Sequence, residues 1–349
     1  MSASPASLEV EWSQELSDHV ISVDVSRDGR RVAAADVSGQ LAVFDAQRGE
    51  ALWRKQAHRF GISELALSAD GTLVASAGQD GQVRMFETGS GRLCMEREAG
   101  AEWAEHVAWC PTENWLLCGA GKHLSLWDRD GSLRCIYPQH PATIADIAWQ
   151  PGRARFASVT YGFVSLFTPD SPKPLKQLPW KGSMLKLAWQ PQGKYLATGN
   201  QDASIQFWVL DKARDLQMHG YDTKIRELSW DPSGRFLASG GGKEIVVWDC
   251  RGRGPAGTKP RILKWHLSFV SALCFQPRGP LLASGGLEGM CAIWSMREPG
   301  PLHASDELGS GVTQLAWAGD APRLIAGTEK GRLLALTSPG LKQAPAQND

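Results

Sequence analysis

The chain has 349 residues, with 37 lysines and arginines balancing 37 aspartates and glutamates, so no net field draws it to nucleic acid, an acidic membrane or a strongly charged partner. Its 37 glycines, 20 prolines and 15 tryptophans describe a turn-rich globular chain with much apolar area to bury. The seven cysteines (Cys94, Cys110, Cys118, Cys135, Cys250, Cys274, Cys291) are odd in number and form no C-x-x-C pair, which argues against a disulfide frame or a zinc cluster.

Residues 1–12, MSASPASLEVEW, have neither a basic start nor an apolar run, so no signal peptide is expected. No later stretch approaches the roughly 20 apolar residues that cross a bilayer. The expectation is a soluble, cytoplasmic protein. Residues 8–12 alternate apolar and polar, which reads as a strand. From Val25 the run VSRDGRRVAAADVSGQLAVF sets a pattern that returns at Leu67, Trp109, Trp149, Trp189, Trp230, Phe275 and Trp317. Successive starts lie 40 to 45 residues apart, the length of one four-stranded propeller blade.

Each copy reads as three strands. In the sixth, IRELSW ending at Trp230 is the first, the turn DPSG follows, and FLASG from Phe236 and EIVVW from Glu244 are the second and third. Short apolar segments then supply outer strands: ALW at 51–53, LCM at 93–95, LRCI at 133–136, LKQL at 175–178, LQM at 216–218 and ILKW at 262–265. After the eighth trio only a polar, proline-containing tail remains, so that blade lacks an outer strand. Residues 8–12 supply it, which closes the ring and removes free sheet edges. The expected fold is all-β: one eight-bladed β-propeller of four-stranded antiparallel blades over residues 1–337, with a flexible C-terminal tail at 338–349. Seven blades is the alternative, and it leaves one trio unused.

Trp-Asp pairs end the third strand at Trp127-Asp128 and Trp248-Asp249, with relaxed versions at Phe44-Asp45, Phe86-Glu87, Phe167-Thr168, Trp208-Val209 and Trp294-Ser295. On these residues the chain resembles the WD-repeat family. The resemblance implies a buried His, Ser or Thr, acid and Trp linked by hydrogen bonds within a blade. By register, blade 2 offers His58, Ser76, Asp80 and Phe86, and blade 7 offers His266, Ser284, Glu288 and Trp294. Blade 4 has His140 and Ser158 without an acid, and blade 5 has Thr198, Asp202 and Trp208 with Trp180 in the histidine's place. No blade is expected to hold the complete set, and the role of these residues is structural. Nine tryptophans recur at two repeat positions, ending first strands at 109, 149, 189, 230 and 317 and third strands at 127, 208, 248 and 294. Packing between blades accounts for them.

No G-x-S-x-G, phosphate loop of the G-x-x-x-x-G-K-[ST] form, H-E-x-x-H or C-x-x-C occurs. GGGK at 240–243 falls between two strands and reads as a hairpin turn. The eight histidines are scattered, and a metal site would need loops to gather His19, His106 and a carboxylate in the central channel. No cofactor is expected. The enzymatic alternative is a quinone-dependent propeller, a class that also repeats tryptophans around eight blades but is typically exported and often carries a vicinal disulfide that this chain lacks.

Propellers bind through their loops. The face made by loops entering first strands and by the second hairpins carries Arg59, Phe60, Trp103, Glu105, Tyr161, Lys181, Tyr221, Asp222, Lys224 and Phe269, where arginine, tyrosine and tryptophan are the usual interface anchors. Trp103 and Tyr221 could instead fold back over blade edges. The opposite face carries a basic insertion at 251–259 together with Arg30, Arg31, Arg153, Arg155, Arg261 and Arg278, diluted by Asp28, Asp45, Asp128, Asp130 and Asp211. The functional expectation is a non-catalytic scaffold or adaptor: a monomeric propeller that binds one or more proteins or peptides within a larger complex. A nucleic-acid-associated module using the basic face is the alternative.

Overall fold

The computed structural model describes residues 5–212, 214–252, 254–297, 302–319 and 323–338. Strands are the only regular elements among them, gathered into eight four-stranded antiparallel sheets. Blades 1 to 7 occupy residues 20–56, 62–98, 106–136, 146–179, 184–218, 228–264 and 270–307 in chain order. Blade 8 takes three strands from the C-terminal end, Val312–Trp317, Leu324–Thr328 and Arg332–Thr337, and its outer strand, Glu9–Glu15, from the N-terminal end. Glu9 pairs with Thr337 and Glu15 with Arg332, with a bulge between Val10 and Trp12. The eight-bladed reading and its closure by the first strand hold.

Burial explains why each strand has the residues it has. A second strand such as Leu73–Gly78 (LVASAG) is buried along its whole length, because adjacent blades cover both of its faces and only small or apolar side chains fit. An outer strand such as Ala51–Gln56 buries Trp53 alone and can be polar elsewhere. That permissiveness hid one element. Blade 7 has an outer strand at Leu302–Glu307 (LHASDE), for which the sequence showed no apolar segment, since only Ala304 in it is buried. The tail expected at 338–349 lies, apart from Ser338, outside the described residues.

First strands lie against one another right round the ring and form the wall of the central channel. Five of them end in a tryptophan whose indole N–H donates to a carbonyl of the preceding blade: Trp109 to Ala66, Trp149 to Ala108, Trp189 to Ala148, Trp230 to Ala188 and Trp317 to Cys274, at 2.9 to 3.2 Å. Two blades have Leu67 or Phe275 in that place, and there a backbone N–H makes the stitch to the preceding blade instead. The residue opposite, Asp24 or Ser229, accepts the backbone N–H of Leu67 at 2.8 Å or of Phe275 at 2.9 Å through its side-chain oxygen. The tryptophans placed by register are therefore both packing and inter-blade donors.

Candidate functional site

Three layers run inward from the loop face: exposed loop side chains, the internal hydrogen-bond sets that hold those loops, and the charged channel wall. The internal sets are the more ordered. In blade 7 His266 Nδ1 meets Glu288 Oε1 at 2.7 Å, its Nε2 meets Ser284 Oγ at 2.8 Å, and the Trp294 indole donates to the same hydroxyl at 2.9 Å. This set is complete, against the sequence expectation that none would be. A glutamate serves where an aspartate is usual, its second oxygen accepting from Ser268 N at 3.1 Å. Blade 2 joins His58 to Asp80 and Ser76 at 2.8 Å each, with Phe86 in the tryptophan's place. Arg84, not foreseen from the sequence, adds a 2.8 Å ion pair to Asp80.

Burial lowers the His58 pKa, opposed by Asp80, and burial would raise that of Asp80, but the His58 and Arg84 hydrogen bonds bring it down to about 2. In blade 4 His140 Nε2 meets Ser158 Oγ at 2.8 Å. Blade 5 departs further: Thr198 donates to Asn200 Oδ1 at 3.1 Å, Asp202 accepts from Ser204 at 2.6 Å, and the buried Trp208 indole finds no acceptor among the described residues. Thr198, Asp202 and Trp208 thus do not form one set.

Blade 6 uses a tyrosine in the histidine's role. Tyr221 Oη meets Ser239 Oγ at 2.8 Å and accepts the Trp248 indole N–H at 2.8 Å. Tyr221, expected among the partner-binding residues, has its hydroxyl committed to the interior. Glu105 is half-buried and accepts the Gly121 N–H at 2.7 Å, holding the second hairpin of blade 3. The remaining members of the expected face, Arg59, Phe60, Trp103, Tyr161, Lys181, Asp222, Lys224 and Phe269, are exposed. Phe60, Trp103, Tyr161 and Phe269 are each more than half exposed. Val37, Leu267 and Leu287 join them from the same set of loops, and these three were missed because an isolated aliphatic in a turn carries no distinctive signal.

The channel wall was also missed, although its register is plain once the copies are aligned. The third residue of each aligned first-strand segment is Ser22, Glu64, His106, Asp146, Lys186, Glu227, Ala272 or Gln314. Glu64, His106, Asp146, Lys186 and Gln314 share a cavity of about 450 Å³ with Ser63, Glu105, Ala145, Leu185 and Arg226. Opposite charges pair around it: His106 Nδ1 to Glu64 Oε2 at 3.2 Å, and Lys186 Nζ to Asp146 Oδ2 at 3.2 Å. Asp146 holds the Lys186 pKa well above its ordinary value. Burial would lower that of His106, but the Glu64 hydrogen bond and charge leave it raised. Glu64 and Asp146 also accept the backbone N–H groups of Val107 and Leu187 in the next blades, so the ring is structural as well as charged. Among the described residues no group of three or more His, Cys, Asp and Glu is disposed to hold a metal ion.

On the opposite face several charges pair off: Arg31 with Asp45 at 3.2 Å, Arg129 with Asp70 at 2.7 Å, Arg134 with Asp128 at 3.1 Å, and Asp249 with both Arg235 and Arg251. GGGK at 240–243 is the expected hairpin turn between Phe236–Ser239 and Glu244–Asp249, where positive φ at Gly241 and Gly242 requires glycine.

The family model for the WD domain, G-beta repeat, matches residues 49–87, 101–128, 173–209, 213–249 and 257–295, about half the chain, and each segment ends with the third strand of a blade, four of them starting at the outer strand of the blade before. This chain is a WD40-repeat protein. Among curated WD40-like relatives, the telomerase protein component 1 of Mus musculus is 25% identical over 222 residues, 61% of this chain and 8% of that protein. Cell division cycle 20.1, cofactor of APC complex, of Arabidopsis thaliana is 27% identical over 156 residues, 42% of this chain and 33% of that one. The matches span a third or less of either relative's own length. The crystal structure of the computationally designed Ika8 protein superposes with a TM-score of 0.78 at 18% identity, covering 93% of this chain and 98% of that one, a likeness of fold alone. WD40 propellers generally bind proteins, and the loop face and channel mouth are where this one offers free side chains.

Proposed function

We propose that this WD40 propeller is a non-catalytic, cytoplasmic adaptor that holds a protein or peptide partner on the face around the mouth of its channel. One observation carries the reading. Fifteen large apolar side chains are exposed among the described residues; Val37, Phe60, Trp103, Tyr161, Leu267, Phe269 and Leu287 lie in the loops of that face. The other eight lie in outer strands or, as Trp265, directly after one, and the described loop residues of the opposite face include none. Leaving aromatic side chains in water on one face only is what an interface requires. That one relative is named as a cofactor of a complex agrees with an adaptor role.

The test is affinity capture from native lysate with parent and with Phe60→Ser/Trp103→Ser/Tyr161→Ser. Tyr221 is left intact because its hydroxyl holds blade 6 together. The expected result is that partners retained by the parent are lost by a variant of unchanged melting temperature. Equal capture by both would overturn the assignment of the face.

A further inference from the structure

The loop face is not uniform, and its blade 6 to blade 7 sector carries a chemistry of its own. Leu267 is 74% exposed, Phe269 51% and Leu287 43%. They are neighbours: Leu287 N donates to the carbonyl of Phe269 at 3.0 Å, which clamps the second hairpin of blade 7 onto the loop that carries the other two. The next residue of that loop, Val270, donates its N–H to Gly242 at 2.9 Å, which sets the hairpin bearing Lys243 beside Phe269. A Cβ at Gly241 would meet Ile225 and Tyr221, so the loop carrying Lys224 and Arg226 lies against the same hairpin. The sequence 267 to 287 and 224 to 243 is thereby folded into one patch, apolar on blade 7 and cationic on blade 6.

Lys224, Arg226 and Lys243 are exposed, and none takes part in an ion pair among the described residues. The acids nearby are few. Glu244 is paired with Lys264 at 2.5 Å, the half-buried Glu227 lies against Gly240 and is held by Arg226, with burial raising its pKa, Glu288 is engaged by His266 and Ser268 N, and Asp222 alone stands exposed on the cationic loop. Three exposed cations, Lys224, Arg226 and Lys243, against one exposed carboxylate, Asp222, give this sector a positive potential in a protein whose formal net charge is zero. Arg226 also lines the channel cavity with Glu64, Glu105 and Asp146, so the cationic strip is confined to the rim and the mouth beneath it is mixed in charge.

We infer that this sector binds an acidic peptide segment in which one or two carboxylates flank a large apolar residue: the apolar side chain on Leu267, Phe269 and Leu287, the carboxylates on Lys224, Arg226 and Lys243. The inference rests on the adaptor reading above and specifies its partner's chemistry. A bare apolar patch would accept any greasy segment, whereas unpaired cations one hairpin away penalise basic sequences and steer acidic ones to the site.

The test is selection from a phage library of random dodecapeptides on the immobilised full chain, followed by affinity measurement of synthetic winners. Expected winners are rich in Asp or Glu next to Phe, Leu or Trp. Their affinity should fall at least tenfold in K224E/R226E/K243E, less in the neutral K224Q/R226Q/K243Q, and at least tenfold in L267S/F269S. Raising the salt from about 0.05 to 0.5 M should weaken them, because screening shortens to a few ångströms. The neutral set also guards against a fold defect caused by charge reversal. Basic or uncharged winners, or winners that bind the charge-reversed chain as tightly as the parent, overturn the inference. Winners lost in F60S/W103S but retained by the blade 6 and 7 variants overturn it while leaving the adaptor face standing. Winners indifferent to both sets, or no enrichment at all, overturn both.

Discussion

Asp24 stands where the aligned first strands of blades 2 to 5 and 8 carry alanine, and its position has a thermodynamic consequence. Its two oxygens accept from Val25 N and Leu67 N at 2.8 Å each, but burial outweighs those bonds and pushes its pKa up to about 6. A carboxyl whose folded pKa is raised contributes most below its unfolded pKa and loses that contribution as the pH climbs through the folded one. Asp24 therefore favours the fold near pH 4 and opposes it near pH 7. In Asp24→Asn this dependence should vanish. Relative to the parent, the variant should gain on the order of 1–2 kcal/mol between pH 4.5 and 7.5, read from urea midpoints at the two values. An unchanged difference would mean that Asp24 is not desolvated.

Asp80 has the opposite sign. Its depressed pKa, about 2, makes its contribution present above the ordinary carboxylate pKa and lost as the pH falls through 2. Asp80→Ala takes the carboxylate from His58 Nδ1, while Arg84 keeps its pair with Glu96, and should cost about 1–3 kcal/mol at neutral pH, checked by chemical denaturation. His58, Ser76 and Asp80 were legible because they repeat in register. Tyr221 was not, since a tyrosine in a loop looks like an interface anchor. The signal that finds it is spacing: Tyr221 precedes Ser239 by 18 residues, as His58 precedes Ser76, His140 precedes Ser158 and His266 precedes Ser284.

At the scale of elements, the N-terminal segment does more than complete one sheet. Beyond the ladder of Glu9–Glu15 with Arg332–Thr337, Ala6 bridges Ala304 in the outer strand of blade 7, with Ala6 N donating to His303 at 3.1 Å and Ser305 N to Ala6 at 3.0 Å. The Trp12 indole N–H reaches Ala46 of blade 1 at 3.0 Å, and Leu8 is buried in the core of blades 7 and 8. One segment thus touches three consecutive blades. Deleting residues 1–13 removes all of these contacts except the pairs of Gln14 with Leu333 and Glu15 with Arg332, and uncovers the edge from Leu334 to Thr337. Loss of the buried Leu8 and Trp12 alone should cost more than about 3 kcal/mol, visible as a lower urea midpoint. A deletion mutant as stable as the parent would refute the closure. The alternating LEVEW made this strand legible, whereas LHASDE in blade 7 did not show, because an outer strand with one face in water and a single buried alanine has almost no pattern to read.

For the whole molecule the question is what kind of join holds a ring of repeats together. Within a blade, strands are joined by backbone ladders; between blades, by side-chain packing, the tryptophan stitches and their Asp24 and Ser229 substitutes. A repeat array gains stability from each unit and each interface, and a closed ring has one more interface than an open one. The natural break falls inside blade 8, so that opening the ring requires the ladder of Glu9–Glu15 with Arg332–Thr337 to part. Glu9 faces Thr337, and a short turn linking the two would convert this pair into an ordinary hairpin. Two circular permutants then separate the kinds of join. With new ends in the insertion at 251–259, the third and outer strands of blade 6 are split, and their ladder, Glu244 to Lys264 through Val247 to Arg261, still spans the break. With new ends at 181–182, between blades 4 and 5, no strand ladder spans it, only packing, the Trp189 stitch, the bonds of Asp146 to Lys186 and Leu187, and single hydrogen bonds such as Gly162 N to Gly182 O. The first permutant should keep a urea midpoint near that of the chain trimmed to residues 9–337 and unfold in one transition. The second should be less stable and unfold over a broader range, because blades at an unlatched seam can separate before the rest. Equal midpoints for the two would show that side-chain stitching alone closes the ring, and that the shared blade is a feature of the sequence without a mechanical role.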